Sequence, residues 1–246
     1  METFVLVHGG GTTGRFWDRL LGHLDRPSLA VDLPGRGDKP ADLATLTVHE
    51  EEASVAADIE AADLDGVVLV AHSSGGLVVP GVLRALGDRV TRVVLNAAAV
   101  PPEGGCGLDC MQHRHRAGLE VALAEAERHG RPLLTPGPPT DPEAFRETYG
   151  GPPLDDETVD FVTDPVRCVA DTLHHYLQPV SWRALPEIPV TYVATVLDRP
   201  IPISLQRQMI THLPFAAEVV DLMSGHIPAV VDPAGFAQLL TRRVIA

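Results

Sequence analysis

Val67-Val68-Leu69-Val70-Ala71-His72-Ser73-Ser74-Gly75-Gly76 is the stretch that decides the fold. A short apolar run rich in β-branched residues reads as a buried strand. It runs into a turn of small residues and then into Leu77-Val78-Val79, the start of a helix. A tight strand–turn–helix corner with a serine at its apex is the setting of a nucleophile elbow. The pattern small-x-Ser-x-Gly places Ser73 at the apex, between Ala71 and Gly75. Ser74 fits less well, because His72 would occupy the small position. A serine hydroxyl is a weak nucleophile at neutral pH, so the corner is useful only with a histidine base and an acid behind it.

Working outward, residues 4–7 form a short apolar strand that ends in His8-Gly9-Gly10-Gly11-Thr12-Thr13-Gly14, where backbone N–H groups are free to approach a ligand. A helix is expected over 15–24, with Phe16, Leu20, Leu21 and Leu24 on one face and Trp17 packed beneath the loop. A second strand at 28–31 leads into the Gly- and Pro-rich loop Asp32-Leu33-Pro34-Gly35-Arg36-Gly37-Asp38. Thr47 and Glu50 form a capping box for a helix over 48–64. Glu50, Glu51 and Glu52 read as a solvated first turn suited to the positive end of the helix dipole. A further strand lies at 92–96.

From 101 to 185 the strand pattern stops. Helical patches at 118–129, 155–162 and 166–176 read as a mostly helical cap inserted between two halves of a core, 1–100 and 186–246. Strand–helix alternation then resumes with strands at 190–194 and 217–222 and helices at 202–212 and 233–244. The expected fold class is therefore α/β: a mostly parallel sheet flanked by helices, with a helical cap.

Asp198 and His226 each lie just past one of the later strands. Loops at the carboxyl ends of parallel strands open on one edge of the sheet, where sites form in open α/β folds. Ser73, Asp198 and His226 are thus the candidate nucleophile, orienting acid and base. Asp221 and Asp32 are fallback acids. The N–H groups of Gly10 and Ser74 are candidates for the oxyanion hole, each worth about 2.7–4 kcal/mol in the transition state.

Residues 4–10 leading into Trp17, Asp32-Leu33-Pro34-Gly35, His72-Ser73-Ser74-Gly75-Gly76, Asp198-Arg199-Pro200-Ile201-Pro202 and Ser224-Gly225-His226 together carry a resemblance. Over essentially its full length the chain resembles the α/β-hydrolase superfamily, most of all the branch of plant methyl esterases and hydroxynitrile lyases with their bacterial relatives. The resemblance implies hydrolysis of a carboxylic ester, a methyl ester or lactone of a small to medium apolar substrate, through an acyl-enzyme on Ser73, with no cofactor and no metal. Lyases of this kind carry a lysine after the histidine and a threonine in the first loop. Here those positions are Ile227 and Gly9, which favours an esterase. Gly9, Gly11, His72, Leu119, Tyr176 and Ile227 are candidates for the substrate pocket; the apolar cap residues Leu119, Val121, Leu173, Tyr176 and Leu177 fit the lining of an acyl pocket and the cap's own core equally well. A lyase or cyclase using the same residues, and a ligand receptor without catalysis, are the competing readings.

The net charge of −14 excludes the basic footprint of a nucleic-acid partner. No apolar run approaches the ~18 residues of a membrane span. The first residues lack a basic region followed by an apolar segment, and three cysteines fit a reducing compartment, so a cytoplasmic location is expected. A small-molecule substrate and a homodimer are the expected partners. Cys106, Cys110, His113 and His115 invite a zinc reading, but their spacing is not a common structural-zinc pattern. His174 and His175 are expected on the surface of the cap.

Overall fold

The computed structural model describes residues 2–130, 134–135, 139, 141–151 and 154–244. Six strands form one sheet: β1 (Thr3–Val7), β2 (Ser28–Val31), β3 (Val67–His72), β4 (Val90–Asn96) and, further along, β7 (Val190–Thr195) and β8 (Ala217–Leu222). Their order is β2-β1-β3-β4-β7-β8 and all pairings are parallel. Parallel strands must be covered on both faces. The period-2 alternation of the strands delivers this: Val5, Val7, Val67, Leu69, Ala71, Val93 and Leu95 face one core, and Phe4, Leu6, Val68, Val70 and Val94 face the other.

Helix Val48–Ala61 starts at the expected capping box, with the Thr47 hydroxyl accepting from the Glu50 N–H and the Glu50 carboxylate accepting from the Thr47 N–H. Helices Val79–Leu86, Ile203–Ile210 and Pro233–Leu239 complete the flanking layers. Among the described residues no helix is long and apolar enough to cross a membrane.

Several expectations are corrected. The helix over 15–24 is a 3-10 turn, Gly14–Trp17, followed by a single turn, Asp18–Leu21. Between β4 and β7 lie helices His113–Arg128, Pro142–Tyr149, Asp156–Thr163 and His174–Leu177. Strands are not missing there: β5 (Leu134–Thr135) pairs antiparallel with β6 (Asp171–Thr172). The helix over 166–176 shrinks to His174–Leu177, because Val169 donates to Gly11, Cys168 bridges to Thr12 and Asp171–Thr172 pairs with β5 instead of continuing a helix. Glu51 is not solvated. It is fully buried, and so is His175. Both corrections have one cause, a buried ion-pair cluster that joins residues far apart in sequence.

Candidate active site

The site is built at the carboxyl end of the sheet. At the corner after β3, Ser73 has φ of +52°, a left-handed conformation that costs a non-glycine residue energy. The corner is tight because backbone passes close on both sides. A Cβ on Gly75 would stand 2.5 Å from the His8 carbonyl oxygen, and one on Gly76 would stand 2.4 Å from that of Ala99.

His226 bridges the other two candidates. Its Nε2 lies 3.0 Å from Ser73 Oγ, and its Nδ1 lies 2.7 Å from Asp198 Oδ2. The carboxylate only accepts, so Nδ1 carries the proton and Nε2 is left to accept the serine proton. Asp198 and His226 are both buried. Asp198 is held by donors from its own loop: the Thr195 hydroxyl at 2.7 Å and the Ile201 N–H at 2.8 Å. Gln206, fully buried, locks that loop by accepting from the Thr195 N–H and donating to the carbonyls of Thr195 and Ile201. The fallback acids lie elsewhere. Asp221 pairs with Arg207 on the surface, and Asp32 accepts the Gly14 N–H.

The glycine loop faces Ser73 from the opposite side. A Cβ on Gly9 would stand 2.8 Å from the Ser73 Cβ, so only glycine lets the loop come this close. The carbonyl of the Gly9–Gly10 peptide accepts from His8 Nδ1 and from the Thr12 hydroxyl, both at 2.8 Å. This fixes the peptide plane whose other end is the Gly10 N–H. His8 Nε2 accepts the Leu33 N–H, so the ring is neutral. Burial, with the Arg36 charge beside it, lowers its pKa to about 3. Ser74 is the second residue of a 3-10 helix, Ser73–Val78, and its N–H has no acceptor within that helix.

His72 lines the site and donates from Nε2 to the His226 carbonyl at 2.9 Å. Burial and the neighbouring His226 hold its pKa well below the ordinary histidine value. Phe16 stacks on it at 4.9 Å, and Trp17, fully buried, packs edge-on against it.

Two cavities meet at Ser73. One, of about 190 Å³, is lined mainly by apolar groups, including Ala99, Cys110, Met111 and Ile201. The other, of about 250 Å³, opens toward His226 and is bounded by Phe16, His72, Tyr149 and Ile227. Tyr176 and His115 border both. Of the candidate pocket residues, Gly9, His72, Tyr176 and Ile227 are thus at the cavities. Leu119 is not; it sits one helical turn beyond His115, about 6 Å further along the axis. Gly11 is not either. Its N–H and carbonyl are turned away, to Asp171 and Val169. His115, Cys110, Met111 and Tyr149 were missed as cavity residues. The apolar periodicity of an inserted helix does not mark which of its faces meets a site built elsewhere.

The sequence pattern of the alpha/beta hydrolase family matches residues 4–239, and the chain belongs to that family. A pyrethroid hydrolase from Sphingobium wenxiniae is 27% identical over 259 aligned positions, covering 96% of this chain and 85% of that protein. A carbendazim hydrolyzing esterase from a Nocardioides species is 33% identical over 110 positions, 42% of this chain and 45% of that enzyme. The fold is shared with an extracellular alpha/beta-hydrolase from a Paenibacillus species, with a TM-score of 0.83 at 21% identity over 98% of each chain. It is shared also with the methylesterase MES16 from Arabidopsis, with a TM-score of 0.71 at 19% identity over 99% of each chain.

Proposed function

We propose that the protein is a serine carboxylic ester hydrolase. The observation that carries this reading is His226 placed between Ser73 and Asp198, 3.0 and 2.7 Å away, at the meeting point of two cavities. Family membership and esterase relatives support ester hydrolysis at the level of the family.

In this reading Ser73 attacks the ester carbonyl as His226 Nε2 takes its proton, and Asp198 stabilises the imidazolium. The Gly10 and Ser74 N–H groups receive the oxyanion. The leaving oxygen must collect its proton from His226, so the alcohol departs through the cavity that His226 borders. The acyl group then lies in the apolar cavity of Ala99, Cys110, Met111 and Ile201. A water activated by His226 releases the acid. The substrate is a methyl ester or lactone of a small to medium apolar acid. Segment 101–185 acts as a cap, since Cys110, Met111, His115, Tyr149 and Tyr176 all close over Ser73.

The test is intact-protein mass spectrometry after exposure to a serine-directed fluorophosphonate, followed by peptide mapping. One adduct on Ser73, abolished by His226→Ala, is expected. An unlabelled, folded wild-type protein would overturn the reading in favour of a lyase or a ligand receptor.

A further inference from the structure

Segment 101–185 grips the glycine loop as well as closing over Ser73. Both backbone groups of Gly11 are held by it: the N–H donates to Asp171 Oδ2 at 3.0 Å, and the carbonyl accepts from the Val169 N–H at 3.0 Å. The next two residues continue the contact. Thr12 bridges antiparallel to Cys168, and the Thr13 hydroxyl donates to the Val166 carbonyl at 2.8 Å.

Asp171 is itself fixed. Its Oδ1 pairs with Arg36 Nη2 and accepts the Thr172 N–H. Arg36 is fully enclosed and donates from Nη1 to Glu51 at 2.9 Å and to the Pro34 carbonyl at 3.0 Å. Glu51 accepts in turn from His175 Nδ1 at 2.8 Å. Burial alone would raise the Glu51 pKa, but the neighbouring His175 and Arg36 hold it below the ordinary value.

Gly10 sits between two peptide planes. The first is fixed at the Gly9 carbonyl by His8 and Thr12, the second at the Gly11 N–H by Asp171. A Cβ on Gly10 would stand 2.7 Å from Asp171 Oδ2 and 2.4 Å from the Tyr176 hydroxyl, so the loop is also seated against these side chains. A buried carboxylate beside Gly10 would oppose a developing oxyanion, and the Arg36 guanidinium, which it shares with Glu51, offsets that charge.

We propose that Asp171, held by Arg36, is a positioning residue that, together with the His8 and Thr12 bonds to the Gly9 carbonyl, sets the direction of the Gly10 N–H. This rests on the reading of Gly10 as an oxyanion donor. Asp171 touches no reacting atom; it acts through the loop. Misplacing a donor by about 1 Å costs up to about 100-fold in rate, and the loss falls on the transition state rather than on the bound substrate.

The test compares wild type, Asp171→Asn and Asp171→Leu for turnover of an ester, for affinity to a trifluoromethyl ketone that forms a hemiketal with the serine, and for affinity to the product acid. Asn keeps an acceptor for the Gly11 N–H but loses the ion pair; Leu loses both. A fall in kcat of about tenfold for Asn and up to about 100-fold for Leu is expected, with KM within about twofold. Ketone affinity falls in step with kcat, and product affinity stays constant. If Asp171→Leu fails to fold, the Asn variant decides alone. Unchanged kcat, a loss confined to KM, or ketone affinity that does not follow kcat overturns the positioning role. A wild type that neither turns over esters nor binds the ketone removes the hydrolase reading, and the positioning role falls with it; a wild type that does both, beside an unaffected Asp171→Asn, removes only the positioning role.

Discussion

On one side of Ser73, the acid Asp198 and its loop are held by neutral groups close by in sequence: Thr195, Ile201 and Gln206 all lie within a dozen residues of one another. On the other side, the glycine loop is held by charges that come from far away. Asp171 is 160 residues from Gly11 and 135 from Arg36. The first arrangement buries one carboxylate, Asp198, and satisfies it with short-range hydrogen bonds and the His226 Nδ1–H. The second removes two carboxylates and a guanidinium from water, which is tolerable only because both carboxylates meet the guanidinium and Glu51 accepts from His175 as well. One site is thus assembled by two routes: a local loop wrapped around its acid, and a long-range clamp to which segment 101–185 contributes Asp171 and His175.

The largest effect is expected at the meeting point of the two sides. Ser73→Ala lowers ester turnover by roughly 10⁴–10⁶-fold, read in a steady-state assay. Full activity in this variant would remove the shared centre on which the comparison rests. Asp198→Asn follows, with a loss in kcat of about 10⁴-fold at little change in fold, because the amide presents the wrong partner to His226 Nδ1. A circular dichroism spectrum beside the rate separates this from unfolding.

Glu51→Gln probes the charged side. Breaking one partner of a buried cluster costs about 3–5 kcal/mol, measured as a drop in the urea midpoint. The pH dependence carries the same signature. Glu51 is held below its ordinary value, so its stabilisation is complete above the ordinary carboxylate pKa and disappears as pH falls through the depressed folded one. His8 adds to the acid limb. Its folded pKa of about 3 lies below that of a free histidine, so the unfolded chain binds the extra proton between about pH 6.5 and 3. Stability is whole above that window and falls by up to about 1.4 kcal/mol per pH unit within it. Replacing His8 by Gln flattens this slope; an unchanged slope would show that the ring is not buried neutral.

Gln206→Leu tests the neutral side. It strands the Thr195 N–H and two carbonyls, and about 2–4 kcal/mol of stability is lost. A loss larger than that of Glu51→Gln would invert the comparison. The smallest effect belongs to Asp221→Asn. Its pair with Arg207 is exposed, and less than about 1 kcal/mol is expected, with turnover within about twofold. A large rate loss there would move the acid from Asp198 to Asp221.

The sheet, the corner at Ser73 and the loops that bring Asp198 and His226 to its edge are all legible in the chain. Strand periodicity, the small residues of the corner and the order of the three residues are local signals, and the burial of alternate strand residues on two faces follows from them. Three-dimensional packing set the rest: Glu51 and His175 are interior, Arg36 and Asp171 meet, and Gly11 serves the loop rather than the pocket. A charged residue in sequence reads as surface by default, because burial is favourable only when a partner of opposite charge arrives. Here that partner arrives from across the fold, and its arrival leaves no periodic trace in the chain.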